Sequence, residues 1–304
     1  MNRNILNNFL LFIPGITWGV TFIIVELILP VIPPITLTLL RTIISTTMLL
    51  FLLRYVGGRL PTTLRGWGPF FVLGAFNMAI PFALSGWGQL YIEGGLAAIL
   101  ISPMPLFTAI LAHFFVDGER LTLHKISGIS LGILGIVILI GPNALAGVST
   151  NIVAQLAIVF CALMYAIGAV YLRLLFPHQP KDLSIWAIRL RLMTGQFTAA
   201  SIILLPFSLL LEAPWTIRPT LEIWGYMLFL GIGVTLMATM TYFYLIENLG
   251  PSRTVMTNYL IPGSGMLAGV LLLGEQLTIM RVVAMVLVLC GIFIVNRANL
   301  RAAG

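Results

Sequence analysis

Arg41 is a charged residue in the middle of an apolar stretch, which reads PPITLTLLRTIISTTMLL. A guanidinium group keeps its proton in proteins, so this charge is permanent. A buried charge of this kind can bind the carboxylate of a ligand. It can equally act as a structural anchor that donates to backbone carbonyls of a neighbouring segment or reaches towards water. The sequence leaves both roles open.

Glu26 is an acidic candidate near the end of the first apolar run. It could pair with Arg41, carry a proton that moves with a ligand, or lie in solvent at the end of the run. Trp18 lies eight residues before Glu26 on the same helical face, and Thr17 lies on the adjacent face. These side chains fit either a binding surface that faces the interior or ordinary packing.

Asn77 and Pro81 share one helical face of a third apolar run, FFVLGAFNMAIPFALSGWGQLY. An asparagine among apolar residues needs a hydrogen-bond partner. Because proline has no N–H, Pro81 leaves the carbonyl of Asn77 free to accept elsewhere. We expect a polar patch that lines a cavity, with a hinge whose polar groups are satisfied locally as the alternative.

Ser102 and Asn258 occupy equivalent places in two apolar runs, 156 residues apart. Pro103 and Pro105 follow Ser102, and Pro262 follows Asn258. Irregular backbone at membrane depth occurs where it is buried in protein or lines a cavity. Matching proline-interrupted segments in two halves of a chain predict a binding site between them. A pair of packing kinks is the alternative.

The remaining candidates are uncharged residues within apolar runs, namely Tyr165, Gln196, Thr239 and Tyr242. A hydrogen-bonding and largely uncharged site suits amino acids or similar amphiphilic metabolites. Highly phosphorylated solutes would require more Lys and Arg. The sequence contains no His-Glu-x-x-His and no Walker motif, and its three histidines lie near the ends of apolar runs. We therefore expect no catalytic residues, no metal site and no cofactor.

The elements that carry these residues follow from composition. Hydrophobic residues make up 60% of the 304-residue chain and charged residues only 8%, whereas soluble domains carry about 25% charged residues. Long apolar runs without the alternation of barrel strands indicate an all-α integral membrane protein. The net charge of +7 then fits basic cytoplasmic loops better than nucleic-acid binding. Cys161 and Cys290 lie within apolar runs, which fits inert thiols.

Ten membrane spans are expected. Their approximate ranges are 7–29, 34–53, 68–90, 95–116, 124–141, 151–172, 185–210, 221–246, 252–273 and 279–296. Lys and Arg residues concentrate in the loops on one side, and only Arg218 and Arg281 fall on the other. Positive residues favour the cytoplasmic side, so both termini are expected in the cytoplasm.

One phrase occurs twice in the chain. The sequence from Gly118 to Leu139 aligns without gaps with that from Gly274 to Val295, and 8 of the 22 positions are identical. Both copies contain Gly-Glu-x-Leu-Thr between two spans. Because five spans separate the copies, they face opposite sides of the membrane. This predicts a 5+5 inverted-topology repeat, with residues 1–146 and 147–304 as its halves, of the kind that builds carriers around a central site.

These features resemble the EamA family of the drug/metabolite transporter superfamily. The resemblance rests on the ten spans, the duplicated Gly-Glu-x-Leu-Thr, Arg41 in the second span and PMPLFTAILAH in the fourth. It implies a basket of ten helices around a central cavity. Members of this family are mostly carriers of the bacterial inner membrane, and many export amino acids or other small metabolites. The resemblance therefore implies a carrier of this kind.

We therefore expect a secondary transporter that works by alternating access and moves small metabolites, with amino acids as first candidates, outward across the inner membrane. A proton-coupled efflux pump for hydrophobic or cationic drugs is the alternative; Glu26 would attract such solutes and Arg41 would repel them. A channel or an intramembrane enzyme is more remote. The expected partners are a small-molecule solute and the lipid bilayer, without nucleic acid, and the chain could be a monomer or a homodimer.

Overall fold

A computed structural model describes residues 3–141, 150–175, 178 and 183–302. The ten main helices in these ranges are α1 (Phe12–Ile28), α2 (Pro34–Tyr55), α3 (Leu64–Gly88), α4 (Gly94–Phe115), α5 (Leu123–Ile140), α6 (Thr150–Leu175), α7 (Ile185–Leu211), α8 (Leu221–Leu249), α9 (Val255–Leu273) and α10 (Ile279–Ala302). The protein is an all-helical, multi-pass membrane protein. The expected boundary between the halves, after residue 146, lies outside the described residues.

Helices α2 to α10 each contain a segment long and apolar enough to cross a membrane, while α1 is an apolar helix of only 17 residues. The first expected span, 7–29, is divided in the structure, because a short helix, Arg3–Leu10, ends just before α1 begins. Pro14 explains the break, since it has no N–H to donate to the carbonyl of Leu10.

The duplicated phrase folds in the same way in both halves. Gly118 and Gly274 have φ values of 81° and 71°, which glycine adopts without strain. The hydroxyls of Thr122 and Thr278 then each accept the N–H of the residue three positions later, at 3.3 Å. Each copy therefore makes a tight turn and caps the N-terminus of the helix that follows.

Equivalent helices of the two halves pack in antiparallel pairs. Between α2 and α7, Thr36 Oγ1 lies 2.7 Å from Ser208 Oγ, and Thr194 Oγ1 donates to the carbonyl of Leu49 at 3.4 Å. Residue numbers thus rise in opposite directions along the two helices.

Helices α5 and α10 repeat this arrangement through glycine. A Cβ atom on Gly128 would lie 2.7 Å from the carbonyl oxygen of Gly291, and one on Gly135 would lie 2.8 Å from that of Ala284. Such distances leave no room for a side chain, so the two backbones are in direct contact. Small residues at helix interfaces in membranes permit this close packing.

The packing between the halves has an internal correspondence. Helix α3 packs on α6 and α7, and its counterpart α8 packs on α1 and α2; likewise α1 packs on α9, and α6 packs on α4. Backbone irregularities correspond as well. A π-helical segment lies within α3 (Ala75–Ala79) and another within α8 (Phe229–Met237). Helix α4 is interrupted between Ile101 and Met104, and α9 begins as the 3-10 helix Val255–Tyr259.

A candidate solute site between the two halves

Arg41 lies buried in the interior, with 6% of its surface exposed. Its Nε donates to Thr235 Oγ1 on α8 at 2.9 Å, and its guanidinium carbon lies 4.1 Å from the centroid of the Phe82 ring on α3. No carboxylate of a described residue forms an ion pair with it. The positive charge is therefore held by one hydroxyl and one aromatic face, and it lacks a counter-charge.

The two terminal amino groups of Arg41 are available for a further partner. Neither donates a hydrogen bond to a described residue, and neither belongs to the unpartnered atoms that are sealed from water. A carboxylate placed there would receive the two parallel N–H groups that arginine offers in bidentate pairs. The geometry thus supports the ligand-binding role more than the anchoring role.

One aromatic pair lies beside this charge through Phe82, and a second aromatic pair joins α1 to α8. Phe82 on α3 and Tyr165 on α6 have ring centroids 6.3 Å apart, and Trp18 on α1 and Tyr242 on α8 have theirs 5.3 Å apart. The phenol groups of both tyrosines lie deep among protein atoms, yet all four residues remain partly accessible.

Asn77 and Gln196 form a second polar contact, which joins α3 to α7. Asn77 Nδ2 donates to Gln196 Oε1 at 3.1 Å. Asn77 also lies directly against Gly168 of α6, where a Cβ atom would overlap its side chain. The predicted need of Asn77 for a partner is thus met by another helix, and Pro81 lies beyond the π-helical segment that contains Asn77.

The other sequence candidates are placed less directly. The hydroxyl of Thr17 donates to the carbonyl of Ile13 at 2.6 Å, and that of Ser102 donates to the carbonyl of Ile99 at 2.5 Å, so both are engaged within their own helices. The carbonyl of Pro81 accepts the thiol of Cys161 at 3.3 Å.

Pro262 is buried, whereas Asn258 and Thr239 are partly buried and have no side-chain hydrogen bond to a described residue. Asn258 lies in the 3-10 segment of α9 and Ser102 at the break in α4, so both occupy irregular backbone. Whether either residue contacts a solute stays a prediction.

Glu26 lies at the end of α1, away from Arg41. Its Oε2 accepts the N–H of Gly94 at 2.6 Å, and Oε1 of Glu275 accepts the next N–H, from Gly95, at 2.9 Å. Carboxylates from the two different halves therefore cap the first turn of α4, where the helix dipole favours negative charge. The ion pair between Glu26 and Arg41, which the sequence allowed, is not formed.

Glu275 belongs to a cluster of charges at this end of the bundle. Arg281 Nη1 lies 2.6 Å from Glu93 Oε2 and 3.7 Å from Glu275 Oε2. Burial raises the pKa of the Glu275 carboxyl above its ordinary value, and the charges of Glu26 and Glu93 raise it further, against the lowering effects of the Gly95 N–H and Arg281. A cavity of about 350 Å³ adjoins the cluster and is lined partly by Glu26, Glu93 and Arg281.

Glu119 is the counterpart of Glu275 in the first copy of the phrase, but its surroundings are opposite. It accepts from Arg173 Nη1 at 2.8 Å and from Lys125 Nζ at 3.2 Å. The hydrogen bond from Arg173, followed by the bond and charge of Lys125, holds the pKa of Glu119 below its ordinary value despite partial burial. One end of the bundle thus stabilises a charged carboxylate and the other favours its protonation.

Sequence reasoning missed Phe82 as the aromatic partner of Arg41 and did not include Thr235 or Gln89 among the site residues. The 156-residue offset of the duplicated phrase does not find Phe82 or Thr235, because it pairs them with Ala238 and Ala79. Gln89 lines the cavity beside Glu26, is 6% exposed, and has a carboxamide oxygen without a hydrogen-bond partner. No pattern in the sequence marks it.

Two stretches of the chain, residues 6–141 and 152–297, each match the EamA-like transporter family. The chain belongs to this family. One match spans helices α1 to α5 and the other spans most of helices α6 to α10. Family membership identifies the protein as a transporter of this kind.

Several similar proteins are known. An uncharacterized transporter of Archaeoglobus fulgidus is 29% identical over 280 residues, which cover 92% of this chain and 95% of that protein. A probable amino-acid metabolite efflux pump of Salmonella typhimurium is 25% identical over 293 residues, which cover 95% of this chain and 94% of that protein. The uncharacterized transporter YoaV of Bacillus subtilis is 27% identical over 206 residues, 66% of each chain. A protein of known crystal structure has the same fold, with a TM-score of 0.67 and 19% sequence identity. The match covers 98% of this chain and 99% of that chain.

Proposed function

We propose that this EamA-like protein is a secondary transporter that exports amino acids, or closely similar carboxylate-bearing metabolites, across the bacterial inner membrane. The observation that carries the proposal is Arg41, a buried permanent charge without an acidic partner among the described residues. A buried charge that lacks a counter-ion is costly. A solute carboxylate supplies that counter-ion each time it binds.

The uncharged groups around Arg41 suit the rest of such a solute. Two aromatic pairs and the amides of Asn77 and Gln196 offer apolar faces and hydrogen bonds. The relative from Salmonella typhimurium is named as a probable amino-acid metabolite efflux pump, which agrees with this chemistry. Outward transport is inferred from that name and from the family resemblance.

Alternating access is the mechanism that the duplication supports. Equivalent helices pack antiparallel, so the halves are inverted with respect to each other. Two inverted halves can exchange conformations, which opens a central site first to one side and then to the other. The excess of Lys and Arg in the loops on one side favours a cytoplasmic position for both termini.

A second candidate, the export of cationic drugs, is favoured by one observation. The 350 Å³ cavity is bordered by Glu26 and Glu93, and carboxylates attract cations. Arg41 opposes this candidate because it would repel a cation in the central site.

Counterflow in liposomes tests the proposal and separates the two candidates. Purified protein is reconstituted into vesicles preloaded with single amino acids, and uptake of the same labelled amino acid is measured without an ion gradient. We expect saturable exchange of some amino acids and little exchange of the corresponding decarboxylated amines. Arg41→Gln should abolish the preference, while Arg218→Gln, which alters an exposed loop arginine, should retain it. Equal exchange of the amines would contradict the proposal and favour cation export.

A further inference from the structure

The contacts between α2 and α7 fix the relative depth of Arg41 and Gln196. Thr42 lies opposite Ser201, and Leu49 lies opposite Thr194. Because the two helices are antiparallel, residues at the same depth have residue numbers with a constant sum, which is 243 for both contacts. Gln196 is therefore level with residue 47 of α2, six residues from Arg41. At about 1.5 Å per residue, the two side chains begin about 9 Å apart in depth.

The two polar contacts of the site correspond to each other under the internal repeat. Arg41 on α2 bonds Thr235 on α8, and Gln196 on α7 bonds Asn77 on α3. Helix α7 is the counterpart of α2, and α3 is the counterpart of α8. The residue numbers differ by 155 for Arg41 and Gln196 and by 158 for Asn77 and Thr235, close to the 156 of the duplicated phrase.

The aromatic pairs join equivalent helices, although the residue numbers differ by 160 for Phe82 and Tyr242 and by 147 for Trp18 and Tyr165. Phe82 and Tyr165 join α3 to α6, and Tyr242 and Trp18 join the counterparts α8 and α1. We define the arginine layer as Arg41, Thr235, Phe82 and Tyr165, and the amide layer as the residues on the equivalent helices, Gln196, Asn77, Tyr242 and Trp18.

Two glycines hold the layers in equivalent positions. Gly231 of α8 lies against Ile44 and the backbone of Arg41, and Gly74 of α3 lies against Ala199 and the backbone of Gln196. A Cβ atom on Gly74 would lie 2.7 Å from the carbonyl oxygen of Gln196, and one on Gly231 would lie 2.6 Å from the Ile44 side chain. The correspondence thus extends to the backbone contacts beneath each layer.

We propose that the amide layer is a second solute subsite, equivalent in construction to the arginine layer but without its charge. This inference rests on the proposed function. Gln196 is 7% exposed, and neither its Nε2 nor Asn77 Oδ1 has a hydrogen-bond partner among the described residues. The pair therefore offers one donor and one acceptor to the same carboxylate-bearing solute, which it holds weakly. The single arginine then makes the other layer the tighter of the two subsites.

With the termini in the cytoplasm, the amide layer lies nearer the cytoplasm, because α3 runs outward and Asn77 precedes Phe82 along it. A solute that leaves the cell meets the weak, uncharged subsite first and the charged subsite second. Because only the arginine layer is charged, the solute binds more tightly near the outer side of the pathway than near the cytoplasmic side.

Exchanging the charge between the layers tests the equivalence. Binding of a labelled mixture of L-amino acids to purified protein is compared for wild type, Arg41→Gln and the double variant Arg41→Gln with Gln196→Arg. Arg41→Gln should weaken binding at least about tenfold, as expected for the loss of charge-assisted hydrogen bonds. The double variant should recover binding to within about threefold of wild type. A folded double variant that binds no better than Arg41→Gln would overturn the proposal.

A second pair of variants covers the case in which the double variant does not fold. Gln196→Glu places a negative charge in the amide layer, and Gln196→Met is its uncharged control of similar size. In counterflow, Gln196→Glu should have a KM at least about tenfold above that of Gln196→Met. Equal KM values would overturn the second subsite. Absence of exchange by wild type itself would instead count against the proposed function.

Discussion

Thr235 links the charge of Arg41 to the backbone of α8. Its hydroxyl accepts a hydrogen bond from Arg41 Nε at 2.9 Å and donates one to the carbonyl of Leu230 at 2.7 Å. The π-helical segment that contains both residues places the hydroxyl within reach of that carbonyl. At the scale of single residues, the site therefore depends on a hydroxyl that serves a cation and a helix at the same time.

Thr235→Val should destabilise the protein by about 1–3 kcal/mol, because it leaves a buried charged donor without an acceptor. Thr235→Ser keeps the hydroxyl and should cost less. The measurement is the free energy of unfolding in mixed micelles. If Thr235→Val and Thr235→Ser lowered the free energy of unfolding equally, the hydrogen bond would contribute nothing beyond packing.

Glu119 and Glu275 should respond to pH in opposite senses. The pKa of Glu119 is lowered by folding, so it stabilises the fold above its unfolded pKa near 4.5, and that contribution is lost as pH falls through the lower folded value. The stability difference between wild type and Glu119→Gln should therefore shrink as pH falls below about 4.5.

The pKa of Glu275 is raised by folding, so the folded state binds its proton more tightly. Wild type should then lose stability relative to Glu275→Gln as pH rises from about 4.5 through the folded value. Unfolding of both variants and wild type across this range provides the comparison. Parallel pH profiles for the two variants would contradict the opposite environments described above.

At the scale of elements, α5 and α10 are joined by direct backbone contact. Gly128 and Gly291 face each other, and Gly135 faces Ala284. These helices form an apolar cluster with α4 and α6. The pair is suited to serve as a fixed support while other helices move.

Gly128→Ala should lower the free energy of unfolding by about 1–3 kcal/mol, because the added Cβ would meet a backbone carbonyl that cannot rotate away. Gly225→Ala is the matched control. A Cβ atom there meets nothing within 4 Å in α8, and alanine favours the helix by about 0.5–1 kcal/mol. The packing argument would be wrong if both variants were equally stable.

The sequence predicts the helices well and their partners poorly, for physical reasons. Hydrophobic runs identify the ten main helices with ends that differ by at most six residues, because the membrane core imposes length and apolarity on each of them. Arg41, Asn77 and Gln196 stand out as polar residues in apolar runs. Their contacts do not, because Asn77 and Gln196 are 119 residues apart and Arg41 and Thr235 are 194 apart. The π-helical segments that aim these side chains depend on tertiary packing and leave no local pattern.

At the scale of the whole molecule, the duplicated phrase provides an internal test of topology. Arg120 and Gln276 occupy the same position in the two copies, and both are exposed. In a background with Cys161 and Cys290 replaced by Ser, Gln276→Cys should react with a membrane-impermeant maleimide added to intact cells. Arg120→Cys should react only after permeabilisation. Labelling of both from one side would rule out the inverted arrangement.

The hydrogen bond between Arg41 and Thr235 also has a consequence for biosynthesis. The two residues are 194 positions apart, and at about 5–20 residues per second the ribosome needs roughly 10–40 s to synthesise the chain between them. During that time α2 already carries a permanent charge, whose cost at the centre of a membrane helix is about 2.5–3.5 kcal/mol. Until α8 arrives, the insertion machinery, lipid headgroups or water must accommodate the guanidinium, so mutations in α8 are expected to affect the yield of inserted protein as well as transport.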